Sequence, residues 1–155
     1  MRHFNRVIFV DRENTCRSIM AEAILRQVRD AMQVSDWNSI ISRGLAVLFP
    51  EPLNPKAVAI IKGHGLNVDR TNSVLFTEEE CGESTLVLTM TEREKRQILE
   101  DYTAVPNLYT LREFAGERGD IEEPYGKSLA EYGALYEYLD LMVKMAVQKL
   151  LKEDE

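Results

Sequence analysis

The feature that most constrains the fold is an uninterrupted apolar run, residues 7–10, followed directly by a polar segment, residues 11–15. The run reads VIFV, and each of its residues is β-branched or aromatic, which is typical of a strand buried on both faces of a parallel sheet. Beyond Ser18, apolar residues recur at helical spacing, at Met20, Ala23, Ile24, Val28 and Ala31. The chain is therefore predicted to begin with a strand, a tight polar loop and a helix.

The alternation of strand and helix signals continues along the chain. Further strands are predicted at residues 37–41, 85–89 and 105–108. Helices are predicted from Asn54-Pro55 to a stop at residues 63–65, from a capping box at residues 91–94 to about Tyr102, and from a capping box at residues 128–131 onward. This pattern predicts an α/β fold with a four-stranded parallel sheet flanked by helices on both faces. Ligands of such sheets bind beyond the carboxyl ends of the strands, so the loop after residue 10 is the expected site.

Composition limits the classes of protein that this chain can be. Its 155 residues fit one domain, so residues 1–155 are predicted to share a single core. Acidic residues outnumber basic ones 26 to 19, and the formal net charge of -7 disfavours binding to nucleic acid or to anionic membranes. Two cysteines, Cys16 and Cys81, do not make a disulfide framework, and no apolar stretch has the length of a membrane span. A reducing, cytoplasmic setting is expected.

The loop after residue 10 carries a specific motif. Residues 11–22 read DRENTCRSIMAE. They resemble the phosphate-binding loop of the low-molecular-weight protein tyrosine phosphatase family, which reads Cys, five residues, Arg, Ser or Thr, and then commonly Pro-Met-Ala-Glu. Further matches are Ser42 and Gly44 at a strand end, and residues 54–58 (NPKAV), 88–91 (LTMT) and 123–126 (EPYG). The resemblance covers nearly the whole chain and implies that family's fold.

The resemblance also implies roles for individual residues. In the family a Cys thiolate attacks the phosphorus, the loop amides and the Arg hold the equatorial oxygens, and the Asp of an Asp-Pro-Tyr segment protonates the leaving group. Carried over to this chain, Arg17 would hold the anion, Glu123 would donate the proton, and Ser42 would support the loop. Leu48 or Phe49 would face the substrate ring. The residues predicted to bind substrate are Arg12, Glu13, Asn14, Thr15, Cys16, Arg17, Ser18 and Tyr125, the last as an aromatic wall.

Four positions depart from the family's pattern. Asp11 stands at the nucleophile position and Glu123 at that of the general-acid Asp. Glu13 stands at a Gly position, and Arg70 at that of a His that orders the loop through Asn14. Asp11 cannot form a thiophosphate, whereas Glu123 keeps a carboxyl group for proton donation. Glu13 lacks the freedom of Gly at positive φ, and it adds repulsion toward an anion if its side chain turns inward.

These departures leave three hypotheses. The first is a degenerate family member with little or no turnover, which binds a phosphorylated protein or a phosphate-like anion, or opposes a tyrosine kinase by sequestration. The second is a phosphatase that uses Asp11 as its nucleophile, because residues 11–15 resemble the Asp-x-Asp-x-Thr signature of aspartyl-phosphate phosphatases. Its Mg²⁺ would be held by Asp120, Glu122 and Glu123. The third is a protein-interaction module with no anion site.

Several of these residues also have plain structural interpretations. Arg17 could pair with Glu22 or another helix carboxylate instead of an anion. Cys16 is interpreted as a semi-buried thiol rather than a displaced nucleophile. Two cysteines are too few for the disulfide relay of arsenate reductases that share this fold. His3 and His64 lack metal-ligand spacing, and no metal or cofactor is predicted.

Overall fold

Four parallel strands run through the centre of the computed structural model, which describes residues 3–124 and 127–153. The strands are β1 (Arg6–Asp11), β2 (Ser39–Gly44), β3 (Thr85–Thr89) and β4 (Leu108–Thr110). They form one sheet in the order β2-β1-β3-β4, and every neighbouring pair is parallel. The predicted fold class, a four-stranded parallel α/β sheet, is therefore confirmed.

Helices connect the strands and cover the sheet. They are α1 (Arg17–Met32), α2 (Pro55–Gly63), α3 (Glu92–Asp101), α4 (Leu111–Phe114) and α5 (Leu129–Glu153), with a single 3₁₀ turn at Glu78–Glu80. The predicted helix starts are correct. The Asn54 side chain accepts the amides of Lys56 and Ala57, and Thr91 and Glu94 make the reciprocal bonds of a capping box. Within the described residues no helix is both long and apolar enough to cross a membrane.

Alternate residues of the central strands enter two separate cores. Val7 and Phe9 of β1 pack on the side that carries α1 and α5. Ile8 and Val10 pack on the opposite side, together with Phe76. Burial on both faces explains why the sequence of β1 is continuously apolar rather than alternating. The parallel pairing with β2 and β3 sets the direction of β1, whose carboxyl end carries Asp11 into the loop.

Two predicted strands are displaced from their observed positions, and one helix was not predicted. The strand predicted at residues 37–41 is observed as β2, which begins at Ser39. Trp37 lies outside the strand, because it has a left-handed φ of 55° and its amide donates to the Phe4 carbonyl. The strand predicted at residues 105–108 is observed as β4. Helix α4 starts at a capping box formed by Thr110 and Glu113, a Thr-x-x-Glu signal that is visible in the sequence.

Candidate active site

A tight loop joins the carboxyl end of β1 to the start of α1. Three of its carbonyl groups accept backbone amides from neighbouring segments: Asp11 from Leu45 at 3.2 Å, Arg12 from Ala46 at 2.8 Å, and Thr15 from Asn54 at 2.9 Å. The segments that follow β2 and precede α2 therefore brace the loop from outside. Such a loop at a helix N-terminus is a general arrangement for binding an anion.

Gly44 allows the loop to lie close against β2. A Cβ atom added at Gly44 would come within 2.9 Å of the Glu13 carbonyl carbon and 3.0 Å of the Asn14 Cβ. A side chain at this position would therefore push the loop away from the sheet.

The carboxylate of Asp11 lies inside the loop. Asp11 is 1% exposed. One of its oxygens accepts the Asn14 amide at 2.6 Å, and the other accepts the Ser18 amide at 2.9 Å. Ser18 lies in the first turn of α1, where a negative charge is favoured by the helix dipole. The chain therefore supplies an anion of its own to the loop and to the helix N-terminus.

Asn14 holds the turn of the loop. Its φ is 57°, a left-handed conformation that Asn tolerates better than most residues. Its side-chain amide donates to the hydroxyls of Ser18 and Ser42, and its carbonyl accepts from Arg70 and from the Val74 amide. All four hydrogen-bonding capacities of the side chain are thus used. Among the described non-glycine residues, positive φ occurs at Asn14, Gln33 and Trp37. The expectation that Glu13 occupies a position that needs positive φ is therefore wrong.

The half-buried Arg70 and the buried Glu22 form a polar network behind the loop. Arg70 donates to Asn14 at 2.7 Å, to Ser42 at 2.9 Å and to Glu22 at 3.1 Å. The Ser42 hydroxyl also donates to Glu22 at 2.7 Å, and Arg26 lies 3.1 Å from the same carboxylate. Glu22 therefore pairs with Arg26 and Arg70, and not with Arg17. Sequence reasoning assigned Glu22 no supporting role, although its place in the Met-Ala-Glu segment was a usable signal.

Arg17 pairs with Glu123 across the cleft. Its Nε donates to a Glu123 oxygen at 2.9 Å, and its Nη1 donates to the Ile121 carbonyl at 2.8 Å. The two side chains are 6% and 10% exposed. The structure thus brings together two residues to which the family resemblance gave roles at the same phosphoryl group. Nothing in the sequence marked the Ile121 carbonyl as a partner of Arg17.

Burial and charge shift the ionisation of this group. Burial alone would lower the pKa of Arg17, but the carboxylates of Asp11, Glu123 and Glu94 outweigh it and hold that pKa above its usual value. Burial raises the pKa of Glu123, and Arg17 offsets only part of the increase. Burial also raises the pKa of Glu94, and hydrogen bonds from Thr91 offset only part of this increase. The site therefore holds three buried carboxyl groups close to one guanidinium.

The cysteines of the chain remain thiols. Cys16 is fully buried, and burial together with the nearby Glu123 carboxylate strongly raises its pKa. Arg17 opposes this increase without overcoming it. Burial raises the pKa of Cys81 to about 11. Because the thiolate is the nucleophilic form, neither sulfur is activated at neutral pH.

Two cavities lie beside the loop. One of about 670 Å³ is lined by Glu13, Thr15 and the exposed side chains of Leu48 and Phe49, which were predicted to face a substrate ring. Another, of about 350 Å³, is lined by the Arg17–Glu123 pair and by residues from α3 and the segment before Glu123. Arg12 lines both cavities. Tyr125, the predicted aromatic wall, lies outside the described residues.

Two of the carboxylates proposed as ligands for Mg²⁺ have other partners: Glu123 accepts from Arg17, and Asp120 accepts the Glu92 amide at 2.8 Å. Asp11, the nucleophile of the same hypothesis, accepts loop amides with both of its oxygens. Within residues 3–124 and 127–153, no group of three or more His, Cys, Asp or Glu residues is arranged to hold a metal ion.

Comparison with known proteins relates this geometry to one family. Residues 6–155 match the family model described as low molecular weight phosphotyrosine protein phosphatase. The chain is 37% identical over 134 residues to the low molecular weight protein-tyrosine-phosphatase PtpB of Staphylococcus haemolyticus, which covers 86% of this chain and 91% of that one. It is 29% identical over 151 residues to a protein-arginine-phosphatase of Bacillus subtilis, which covers 95% and 97% of the two chains. A crystal structure of a low molecular weight protein tyrosine phosphatase from T. tengcongensis matches with a TM-score of 0.85 at 33% identity, over 94% of this chain and 99% of that one.

Proposed function

The chain belongs to the low molecular weight phosphotyrosine protein phosphatase family, and from that premise we propose that it is a degenerate member with negligible thiol-dependent phosphatase activity. The observation that supports this proposal is the position of Asp11. Its carboxylate accepts the amides of Asn14 and Ser18 inside the loop, where the family resemblance implies a nucleophilic sulfur. A carboxylate oxygen that already accepts a hydrogen bond is a poor nucleophile toward a phosphate dianion, and it cannot form the covalent intermediate that a thiolate forms.

The other thiol of the loop does not replace the missing one. Cys16 is buried and its pKa is strongly raised, so the thiolate fraction at neutral pH is negligible. Arg17, which would hold the equatorial oxygens of a phosphoryl group, donates to Glu123 instead. Glu123 retains a carboxyl group at the position of a proton donor, but a donor without a nucleophile does not complete the reaction.

Residual anion binding is the second part of the proposal. Over the described residues, the amides of Thr15, Cys16 and Arg17 make no hydrogen bond, in contrast to those of Asn14 and Ser18. These free amides, with the guanidinium of Arg17, are the groups available to an anion. The remaining loop residues would line the site, and Ser42 and Arg70 would fix its shape. The role of Tyr125 as an aromatic wall stays a prediction.

The partner we propose is a phosphorylated protein. Relatives of this chain are named protein-tyrosine and protein-arginine phosphatases, and both names describe proteins that act on phosphorylated side chains. A family member that binds such a group without hydrolysing it would protect the phosphorylated site, or oppose a tyrosine kinase by sequestering its product. We further propose that residues 1–155 act as one domain in the cytoplasm.

The test is turnover of an aryl phosphate and of phosphoarginine by the wild-type chain, each with added Mg²⁺ and with EDTA. Negligible turnover of both substrates under all conditions is expected. Strong turnover in EDTA would refute the proposal, because it would require a metal-independent nucleophile in this loop. Turnover that EDTA abolishes would instead support the use of Asp11 as a metal-assisted nucleophile.

A further inference from the structure

The contact between Arg17 and Glu123 occupies the edge of the guanidinium that carries Nε, one of the edges that could hold an anion. A bidentate grip on a phosphate or sulfate uses two adjacent N–H groups of the Arg fork. In this chain Nη1 is tied to the Ile121 carbonyl at 2.8 Å, and Nε is tied to Glu123 at 2.9 Å. Among the described residues, no hydrogen bond is made by Nη2. An anion can therefore engage Nε and Nη2 together only if the Glu123 carboxylate leaves.

The charge of the buried cluster decides how Glu123 can leave. Asp11, Glu94 and Glu123 surround Arg17, and all four side chains are largely buried. The cluster thus holds more negative than positive charge before any ligand arrives. A dianion entering beside an ionised Glu123 would meet repulsion in a poorly screened environment. A protonated Glu123 removes one negative charge and weakens its hydrogen bond with Nε at the same time.

Charged and titratable groups reach Glu123 from several elements. They are Asp11 at the end of β1, Cys16 and Arg17 at the start of α1, Arg93 and Glu94 of α3, Tyr132 of α5, and Arg12, Asp120 and Glu122 of the adjoining loops. Of these, the cysteine and tyrosine keep their protons at neutral pH because their pKa values are raised. Glu123 is the carboxyl group that bonds directly to the guanidinium. It is therefore the group whose protonation opens the anion site.

We propose that the loop binds a tetrahedral oxyanion together with a proton, which Glu123 takes up from solvent as it releases Arg17. The contact acts as a latch that is closed at neutral pH and open in acid. This inference rests on the proposed function, because it assumes that the loop still binds anions. It assigns to Glu123 a regulatory role in binding that does not depend on any hydrolysis.

The direction of the pH dependence follows from linkage. A bound anion adds negative charge next to Glu123 and draws Arg17 away, so it raises the pKa of Glu123 further in the complex. Binding is then coupled to proton uptake, and affinity increases as pH falls, by at most about tenfold per pH unit for one proton. Once Glu123 is protonated in the free chain, the affinity reaches a plateau.

The experiment is isothermal titration of the full chain with sodium sulfate, from about pH 8 down to about pH 5. Sulfate is chosen because, unlike phosphate, it stays dianionic throughout this range. The wild-type affinity is expected to rise with acidity, with uptake of about one proton, measured by comparing buffers of different ionisation enthalpy. E123Q removes the carboxylate charge and is expected to bind at pH 8 about as tightly as the wild type does in acid, with a flat profile. E117Q, which removes the charge of an exposed glutamate that lines neither cavity beside the loop, is the matched control and should keep the wild-type profile.

Several outcomes would overturn the inference. A pH dependence that persists in E123Q would place the proton on another group, such as Glu94. Unchanged binding in R17A would place the anion elsewhere. If neither the wild type at any pH nor E123Q binds sulfate, the Asp11 carboxylate alone is sufficient to exclude the anion from the loop. E123A is expected to behave like E123Q, so it serves as the second variant if thermal unfolding shows that E123Q is poorly folded. The turnover assays above are independent, so failure of the latch and failure of the proposed function are distinguishable.

Discussion

Arg70 and Asn14, 56 residues apart in sequence, are joined by a 2.7 Å hydrogen bond from Nη2 of the arginine to Oδ1 of the asparagine. The same guanidinium contacts Ser42 and Glu22, so one side chain connects the loop, β2 and α1. At this position the family resemblance implied a histidine. The arginine keeps the link to Asn14, and it adds a permanent positive charge that faces the buried Glu22 carboxylate.

Removing Arg70 should destabilise the chain. Arg70→Ala leaves Glu22 with fewer partners and removes a donor from the Asn14 carbonyl, so a loss of about 2 kcal/mol in the free energy of unfolding is expected. Arg70→His should lose less, because an imidazole can keep one hydrogen bond. Urea denaturation measures both. Arg96→Ala, which removes an exposed arginine of α3, is the control and should change stability by less than about 0.5 kcal/mol. An equal effect of the Arg70 and Arg96 variants would contradict the supporting role of the network.

The parts of the fold that could be predicted are those with local signals. Strand β3 has the bounds that its apolar run predicted, and the helix starts at Asn54 and Thr91 were recognised from their capping residues. Trp37 was assigned to a strand because it is aromatic, but its left-handed backbone takes it out of the sheet. A Thr-x-x-Glu capping signal is also present at Thr110, and helix α4 begins there.

The contacts of the site could be predicted only in part. The family resemblance gave Arg17 and Glu123 roles at the same phosphoryl group, and they are indeed adjacent although 106 residues separate them. That they bond to each other depends on how the segment before Glu123 packs against α1, which no local pattern encodes. The hydrogen bonds to Asp11 likewise depend on the direction of the loop amides. The residue types therefore indicated where the site lies, whereas the partners of its charged side chains could be identified only from the structure.

Asp11 is expected to stabilise the loop that it occupies. Asp11→Ala leaves the buried amides of Asn14 and Ser18 without their acceptor, which should cost about 2 to 3 kcal/mol. Relief of repulsion with the other carboxylates offsets only part of this loss, because Arg17 stays paired with Glu123. Asp11→Asn keeps one acceptor oxygen and should lose less. Thermal and urea unfolding measure these losses, with Asp101→Ala as an exposed control. A gain in stability from Asp11→Ala would show that the carboxylate is strained rather than bound in the loop.

Stability should increase as the solution is acidified from neutral pH to about pH 5. Glu94 and Glu123 have raised pKa values in the folded chain, mainly through burial, so the folded state binds protons more readily than the unfolded state. Their contribution is fully present below the ordinary glutamate pKa and is lost as pH rises through the raised value. Asp69 and Glu113 have lowered pKa values, so their contributions are lost at still lower pH and a maximum is expected.

The pH profile of unfolding checks this expectation in one variant. Glu94→Gln should flatten the increase between about pH 7 and about pH 5, because it removes one of the two titrating groups. Glutamine still fits the capping box with Thr91, so the start of α3 is retained. A slope that is unchanged in Glu94→Gln would mean that Glu94 does not titrate in this range.

Restoring a thiol at the end of β1 should restore catalysis. In Asp11→Cys the amides of Asn14 and Ser18 and the N-terminus of α1 would favour a thiolate, while Arg17 and Glu123 are already in place. Glu13→Gly should add to the activity of Asp11→Cys by removing a negative charge, and not by backbone freedom, since positive φ lies at Asn14. Turnover of para-nitrophenyl phosphate should rise on the acidic side of neutral, where Glu123 holds the proton that the leaving group needs.

Asp11→Ser in the same background is the matched control, because it has the size of cysteine without the sulfur nucleophile, and it should stay inactive. If the double variant is folded and binds sulfate yet does not turn over the substrate, the geometry of the loop, and not only the missing thiol, prevents phosphoryl transfer.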